Sequence, residues 1–262
     1  MRSLFQLAFV TSLLACNVFA APPASDLEGR RKALNDLLAE QWEYSLQHSP
    51  IFASMLGDKR WNDKLDDFSQ KAIDDDLEQS KKFLARFEAI DTAGFPEQEA
   101  LNKTLMVRDL RNDLDGARFK GWEMPVSQFG GVHLNLPQLV SLLSFQSVKD
   151  YDDYISRLKL MPRMFDENVV QMRKGMADGL MPPRILLEKV VDQANGLATK
   201  APEATPFAQP FEKFPDSIPA ADQKRLREQG LAAIRDSVLP AYVKFTAFVR
   251  DEYAPKGRTE PG

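Results

Sequence analysis

The chain has 262 residues, 44% of them hydrophobic and 27% charged, with a formal net charge of -4. This suffices for one large core or two small ones, and interspersed acids and bases exclude the concentrated basic surface that grips nucleic acid. The single cysteine, Cys16, excludes an intrachain disulfide.

Arg2 precedes an apolar run over residues 4–15, too short for a comfortable membrane span, and Val18, Phe19 and Ala20 followed by Ala21 form the small-residue pattern that a signal peptidase cuts. Residues 1–20 therefore read as a signal peptide cleaved between Ala20 and Ala21, which exports the remainder, residues 21–262, to the periplasm as a single helical domain. Leu13, Leu14, Ala15 and Cys16 also resemble a lipobox, in which Cys16 would be lipidated and the protein anchored to the membrane. Ordinary cleavage is preferred, because Asn17, Val18 and Phe19 prolong the apolar run where a polar tether would be expected. A membrane enters only on the lipidated reading.

After a tether at residues 21–24, Ser25 or Asp26 caps a helix to about residue 47, with Leu27, Leu34, Leu37, Leu38, Trp42 and Leu46 on its apolar face. Residues 49–69 read as a short helical turn and a loop pinned by Trp61 and Phe68. Ser69 caps a third segment carrying Ile73, Leu77, Leu84, Phe87 and Ile90. Its Asp74, Asp75 and Asp76 suit a helix N-terminus and cannot converge on one ion, since successive helical side chains point about 100° apart. Gly94 stops it, and Pro96 opens a helix over residues 97–114 with Leu101, Leu105, Leu110 and Leu114 inward, antiparallel to its predecessor.

Residues 116–137 break the pattern, with four of the thirteen glycines and no helical stripe. Gly130, Gly131 and His133 make this the best candidate loop for contacting a ligand, because paired glycines permit positive φ and close backbone approach. For His133 a structural hydrogen bond competes, since no acid or second histidine stands nearby in sequence. A short apolar helix over residues 136–145 leads to a long one from residue 149, striped by Tyr151, Tyr154, Ile155, Leu158, Met161, Phe165, Val169 and Met172. Gly175 and Gly179 loosen the chain, and Pro182 and Pro183 start another helix with Ile185, Leu186, Lys189 and Val190. Arg157, Arg173 and Lys174 suit solvated faces or helix pairing. Residues 199–219 hold five prolines with Phe207, Phe211 and Phe214, which reads as a strap fixed by its phenylalanines. Two last segments, joined at Pro240, run to residue 254. The total is roughly eight helices in a bundle-like array with no alternating strand, an all-α class.

Catalytic patterns are missing. No G-x-S-x-G elbow occurs, and His48 and His133 stand far apart with no H-E-x-x-H. No residue is assigned a catalytic or metal-binding role.

Asp150, Tyr151, Tyr154, Arg157, Leu158, Met161, Pro162, Met172, Arg173, Gly175, Gly179, Pro182 and Pro183 together resemble the bacterial domain of unknown function 885 family. Ser49, Pro50, Ala53, Leu56 and Gly57 resemble it too, as do Pro206, Phe207, Pro210 and Phe211, and Leu239 to Tyr242 with Glu252 to Pro255. The resemblance implies an exported, helical, zinc-metallopeptidase-like protein whose H-E-x-x-H region lies in a second half. This chain then corresponds to the N-terminal half alone, a fragment or truncation without zinc of its own. Its partners would be a peptide substrate and the missing C-terminal half. A non-catalytic periplasmic module, binding through residues 116–137, is the alternative.

Overall fold

The computed structural model describes residues 24–260. Ala20, Ala21 and Cys16, with the cleavage and lipidation readings that rest on them, lie outside the described residues. Nine α-helices occur among those described: α1 (Ala24–His48), α2 (Pro50–Met55), α3 (Gln70–Glu88), α4 (Glu97–Ala117), α5 (Val132–Leu139), α6 (Val148–Asp178), α7 (Arg184–Ala198), α8 (Ala220–Ala233) and α9 (Leu239–Phe248). The class is all-α. The β-type pairings among the described residues are isolated bridges, Ser127 with Gly130 and Pro183 with Arg258.

Local chemistry sets the helix ends. Ser69 caps α3 by accepting from the Ala72 N–H at 3.2 Å. Ser147 and Asp150 form a reciprocal capping box at the start of α6, and Gly179, with φ 74, ends that helix in the left-handed region. Pro183 precedes the first residue of α7, where a missing N–H has no intrahelical partner to lose.

The apolar face of α6 anchors the larger core, which packs it against α7, α8, α9 and the residue 199–219 strap. Phe207, Phe211 and Phe214 of the strap are all buried, and the Tyr154 hydroxyl donates to the Phe207 carbonyl at 3.1 Å. A second cluster joins α1, α3 and α4 through Leu34, Leu37, Phe83, Phe87 and Leu110.

Four sequence expectations change. Trp42, Leu101 and Leu105, read as inward, are 49%, 44% and 37% exposed. The buried side of α4 runs instead through Met106, Val107 and Leu110, which meet the smaller cluster. Gly175 does not loosen the chain; it lies inside α6, buried, where an added Cβ would collide with the Glu123 carbonyl. The glycine-rich loop ends at Gly131, because α5 starts at Val132 and holds Pro137 within it. Pro137 has no N–H for the carbonyl four residues earlier, that of His133. The Tyr242 hydroxyl of α9 supplies the bond at 2.9 Å, so the short helix survives its proline.

Candidate functional site

One side of α6 is polar. Arg157, Arg163, Glu167, Gln171 and Lys174 share it by helical spacing, and they grip the chain between α2 and α3. Arg157 Nε donates to the Lys64 carbonyl at 2.7 Å, while its Nη2 donates to Ser54 Oγ at 2.6 Å, the Pro50 carbonyl at 3.1 Å and the Trp61 carbonyl at 3.2 Å. Arg163 donates to the carbonyls of Leu65 and Asp66. Glu167 accepts from the Phe68 N–H at 2.9 Å, Gln171 Nε2 donates to the Phe68 carbonyl at 3.2 Å, and Lys174 donates to Gln70 Oε1 at 2.5 Å. The loop thus lies along α6 as a strand would lie along a sheet edge, but its partners are side chains.

This corrects the solvated reading of Arg157, which is 0% exposed. Burial pushes its pKa down to about 10 against the opposing charges of Asp66, Asp153 and Asp63. Arg173 does pair helices, reaching Glu252 near α9 at 3.0 Å.

Gripping the loop leaves a chamber of about 280 Å³ between it, α5 and α6. Ile51, Phe68, Ile73, Val132, Leu136 and Met164 form its apolar walls. Asp66, Trp122, Asn135, Asn168 and Gln171 bring polar groups to the same space. A second space of about 280 Å³ shares Asp66, Phe68, Ile73 and Trp122 with the chamber and adds His48, Asp67, Asp76 and Ser80, making a polar mouth against α1 and α3. Apolar walls with a few fixed polar groups are the usual build of a ligand site.

The polar groups differ in how far the protein satisfies them. Asp66 accepts from the Ile51 N–H at 3.1 Å. Burial raises its pKa, opposed by that bond and by Arg157 and Arg163. Asn168 donates to the Met164 carbonyl at 2.8 Å. Trp122 Nε1 and Gln171 Oε1 are buried with no partner among the described residues.

Of the residues singled out from the sequence, Gly131 lines the chamber. Its φ of 129 is one that side chains rarely adopt, and a Cβ there would come within 2.9 Å of Val126 Cγ1, so the turn into α5 needs glycine. Gly130 lies outside the chamber walls, closing a turn by accepting from the Ser127 N–H at 2.8 Å. His133 points elsewhere, into the core beside Phe245, with Nε2 facing Gln193 Oε1 at 3.1 Å. Gln193 Nε2 donates to the Gln128 carbonyl at 3.0 Å, which fixes the amide and leaves the His133 Nε2 proton facing an acceptor. Burial lowers the His133 pKa, so the ring stays neutral at ordinary pH. Trp122 and Asn135 also fall within residues 116–137, the stretch singled out for contacting a ligand, whereas Asp66, Asn168 and Gln171 went unnoticed in the sequence.

Among the described residues no three His, Cys, Asp or Glu side chains come together to hold a metal ion. These residues do not fit the zinc that the family resemblance implies.

The family model for DUF885, described as a bacterial protein of unknown function, matches residues 50–262. The chain belongs to the DUF885 family. The match begins at Pro50, so it takes in both the gripped loop and the polar side of α6, together with every residue that lines the chamber. In fold the chain is similar to the crystal structure of a protein from Colwellia psychrerythraea described as a "putative lipoprotein", with a TM-score of 0.79 at 17% identity. The similarity covers 89% of this chain and 43% of that one, so the chain spans less than half the length of the solved structure it matches. No curated protein matches the chain in sequence. Among the described residues no helix is long and apolar enough to cross a membrane.

Proposed function

We propose that this chain forms the substrate-binding wall of an exported, zinc-metallopeptidase-like protein, with the chamber beside α6 receiving part of a peptide. The observation that carries the reading is the chamber itself, an apolar space with fixed amide and indole groups, walled by a loop that α6 holds by its backbone. Metal-assisted hydrolysis would draw on residues other than those described, since no three His, Cys, Asp or Glu side chains among these could hold an ion. A Colwellia protein described as a lipoprotein, sharing the fold, agrees with an exported setting.

A non-catalytic exported binding module is the second reading, favoured because this chain alone closes the chamber walls. Fluorescence anisotropy with labelled hydrophobic peptides, paired with mass spectrometry of the same mixtures, tests both. The expected result is saturable binding without cleavage. Cleavage by this chain alone would contradict the wall reading, and failure of every peptide to bind would overturn both. A cooperative thermal transition of the isolated chain favours the module, while an aggregating chain with a bare apolar face favours the wall.

A further inference from the structure

Two side chains that line the chamber each carry a buried polar atom with no partner among the described residues, and the two atoms are of opposite kinds. Trp122 Nε1 can only donate, and Gln171 Oε1 can only accept. Both are held in place by the fold. Gln171 is 1% exposed, and its Nε2 is committed to the Phe68 carbonyl, so a flipped amide would set two oxygens against each other. Trp122 belongs to the one-turn helix Gly121–Glu123, which sits directly on Gly175 of α6, where nothing larger than glycine fits. Buried polar atoms are nearly always paired, so an unpaired donor and acceptor in one small, mostly apolar space indicate what belongs there.

We propose that the chamber recognises an amide beside a branched aliphatic group. The ligand carbonyl accepts from Trp122 Nε1–H, the ligand N–H donates to Gln171 Oε1, and the hydrocarbon lies against Ile51, Val132, Leu136 and Met164. The space of about 280 Å³ is just under the roughly 300–1,000 Å³ of sites that take larger small molecules, which suits one peptide unit with its side chain. This rests on the peptide reading above and narrows it to an aliphatic residue held through its own backbone amide. Neither atom has a partner among the described residues of the free protein, and the amide supplies both bonds.

The test is an NMR-detected titration with three probes of matched size. They are N-isobutyl isovaleramide, the ester isobutyl isovalerate, which keeps the carbonyl but lacks the N–H, and the alcohol 2,6-dimethyl-4-heptanol. The amide should bind at least about fivefold more tightly than either of the others. Trp122→Phe should weaken amide and ester alike by about five- to tenfold. Gln171→Met should weaken the amide alone by a similar factor. Trp122→Phe removes an atom with no partner in the protein, so it keeps the test valid even if Gln171→Met disturbs the Phe68 bond. Equal affinity for the three probes, or indifference of amide binding to both substitutions, would overturn the proposal. If the labelled peptides still bind in that case, the peptide-wall reading stands and only amide recognition fails. If neither peptides nor probes bind, both fall.

Discussion

Replacing Arg157 by methionine keeps most of the side-chain volume and removes the guanidinium that holds the loop between α2 and α3. The four acceptors it leaves are not equal. The Ser54 hydroxyl, with one proton to give, keeps either the Pro50 carbonyl at 2.9 Å or Asn62 Oδ1 at 2.6 Å, and the Trp61 carbonyl keeps the Lys64 N–H. The Lys64 carbonyl has no other partner among the described residues. A charged hydrogen bond with no replacement is worth about 1.5–3 kcal/mol, and each of the other three about 0.5 kcal/mol, for a sum of about 3–4.5 kcal/mol. The burial that pushes the Arg157 pKa down to about 10 opposes these gains, so the lower end, about 3 kcal/mol, is the expected loss. At about 2–4 °C per kcal/mol for a chain of this size, Tm should fall by about 6–12 °C in a calorimetric scan. Arg157→Lys should not rescue it, because one ammonium cannot span acceptors spread from Pro50 to Lys64. A methionine variant as stable as the parent would refute the clamp and leave the shape of the chamber without its physical cause.

Three further outcomes follow from the same packing. Gly175→Ala places a methyl group against the Glu123 carbonyl; it should cost about 1–3 kcal/mol in urea unfolding and weaken ligand binding by moving Trp122. Burial raises the Asp150 pKa, but the bond from Lys59 and the amides of Gln146 and Ser147 outweigh it and hold the carboxyl below its ordinary value. Its contribution is therefore present above the unfolded value near about 3.9 and lost as pH falls through the lower folded value. Asp150→Asn should be less stable than the parent at pH 7, by about 1 kcal/mol for the lost cap, with the gap closing in acid-unfolding curves below about pH 4. Asp66 runs the other way. Its folded pKa is raised, so its stability is full below the unfolded value and is lost as pH rises through the folded one. Asp66→Asn should melt higher than the parent at pH 7 and alike near about pH 3.

The helices were legible because their signals are local. The stripe from Tyr151 to Met172, the cap at Ser69, the break at Gly179 and the start after Pro183 depend on residues within a turn or two of one another. The strap was legible for a similar reason, since five prolines exclude a helix and three phenylalanines exclude a free linker. The chamber was not, because its walls come from positions as distant as Ile51 and Gln171 and converge only after α6 has gripped the loop. Arg157 was misread because a charged residue in a helix usually faces water, and its partners are backbone carbonyls nearly a hundred residues away that leave no trace in composition. Leu101 and Leu105 were misread because periodicity locates a stripe without saying which stripe meets a neighbour. His133 looked like a ligand-loop residue because Pro137 hid the start of α5, and the Tyr242 hydroxyl that compensates lies on α9.

The central claim is that the chamber beside α6 is where this DUF885 chain meets a peptide. Photo-crosslinking tests it most directly, using a leucine-containing peptide in which a photoactivatable aliphatic residue replaces leucine, followed by mapping of the adducts by mass spectrometry. The account predicts adducts on Ile51, Phe68, Trp122, Leu136 or Met164, suppressed by excess unlabelled peptide. Competable adducts confined to another face, such as the charged groove of Arg173 and Lys244 between α6 and α9, would contradict it.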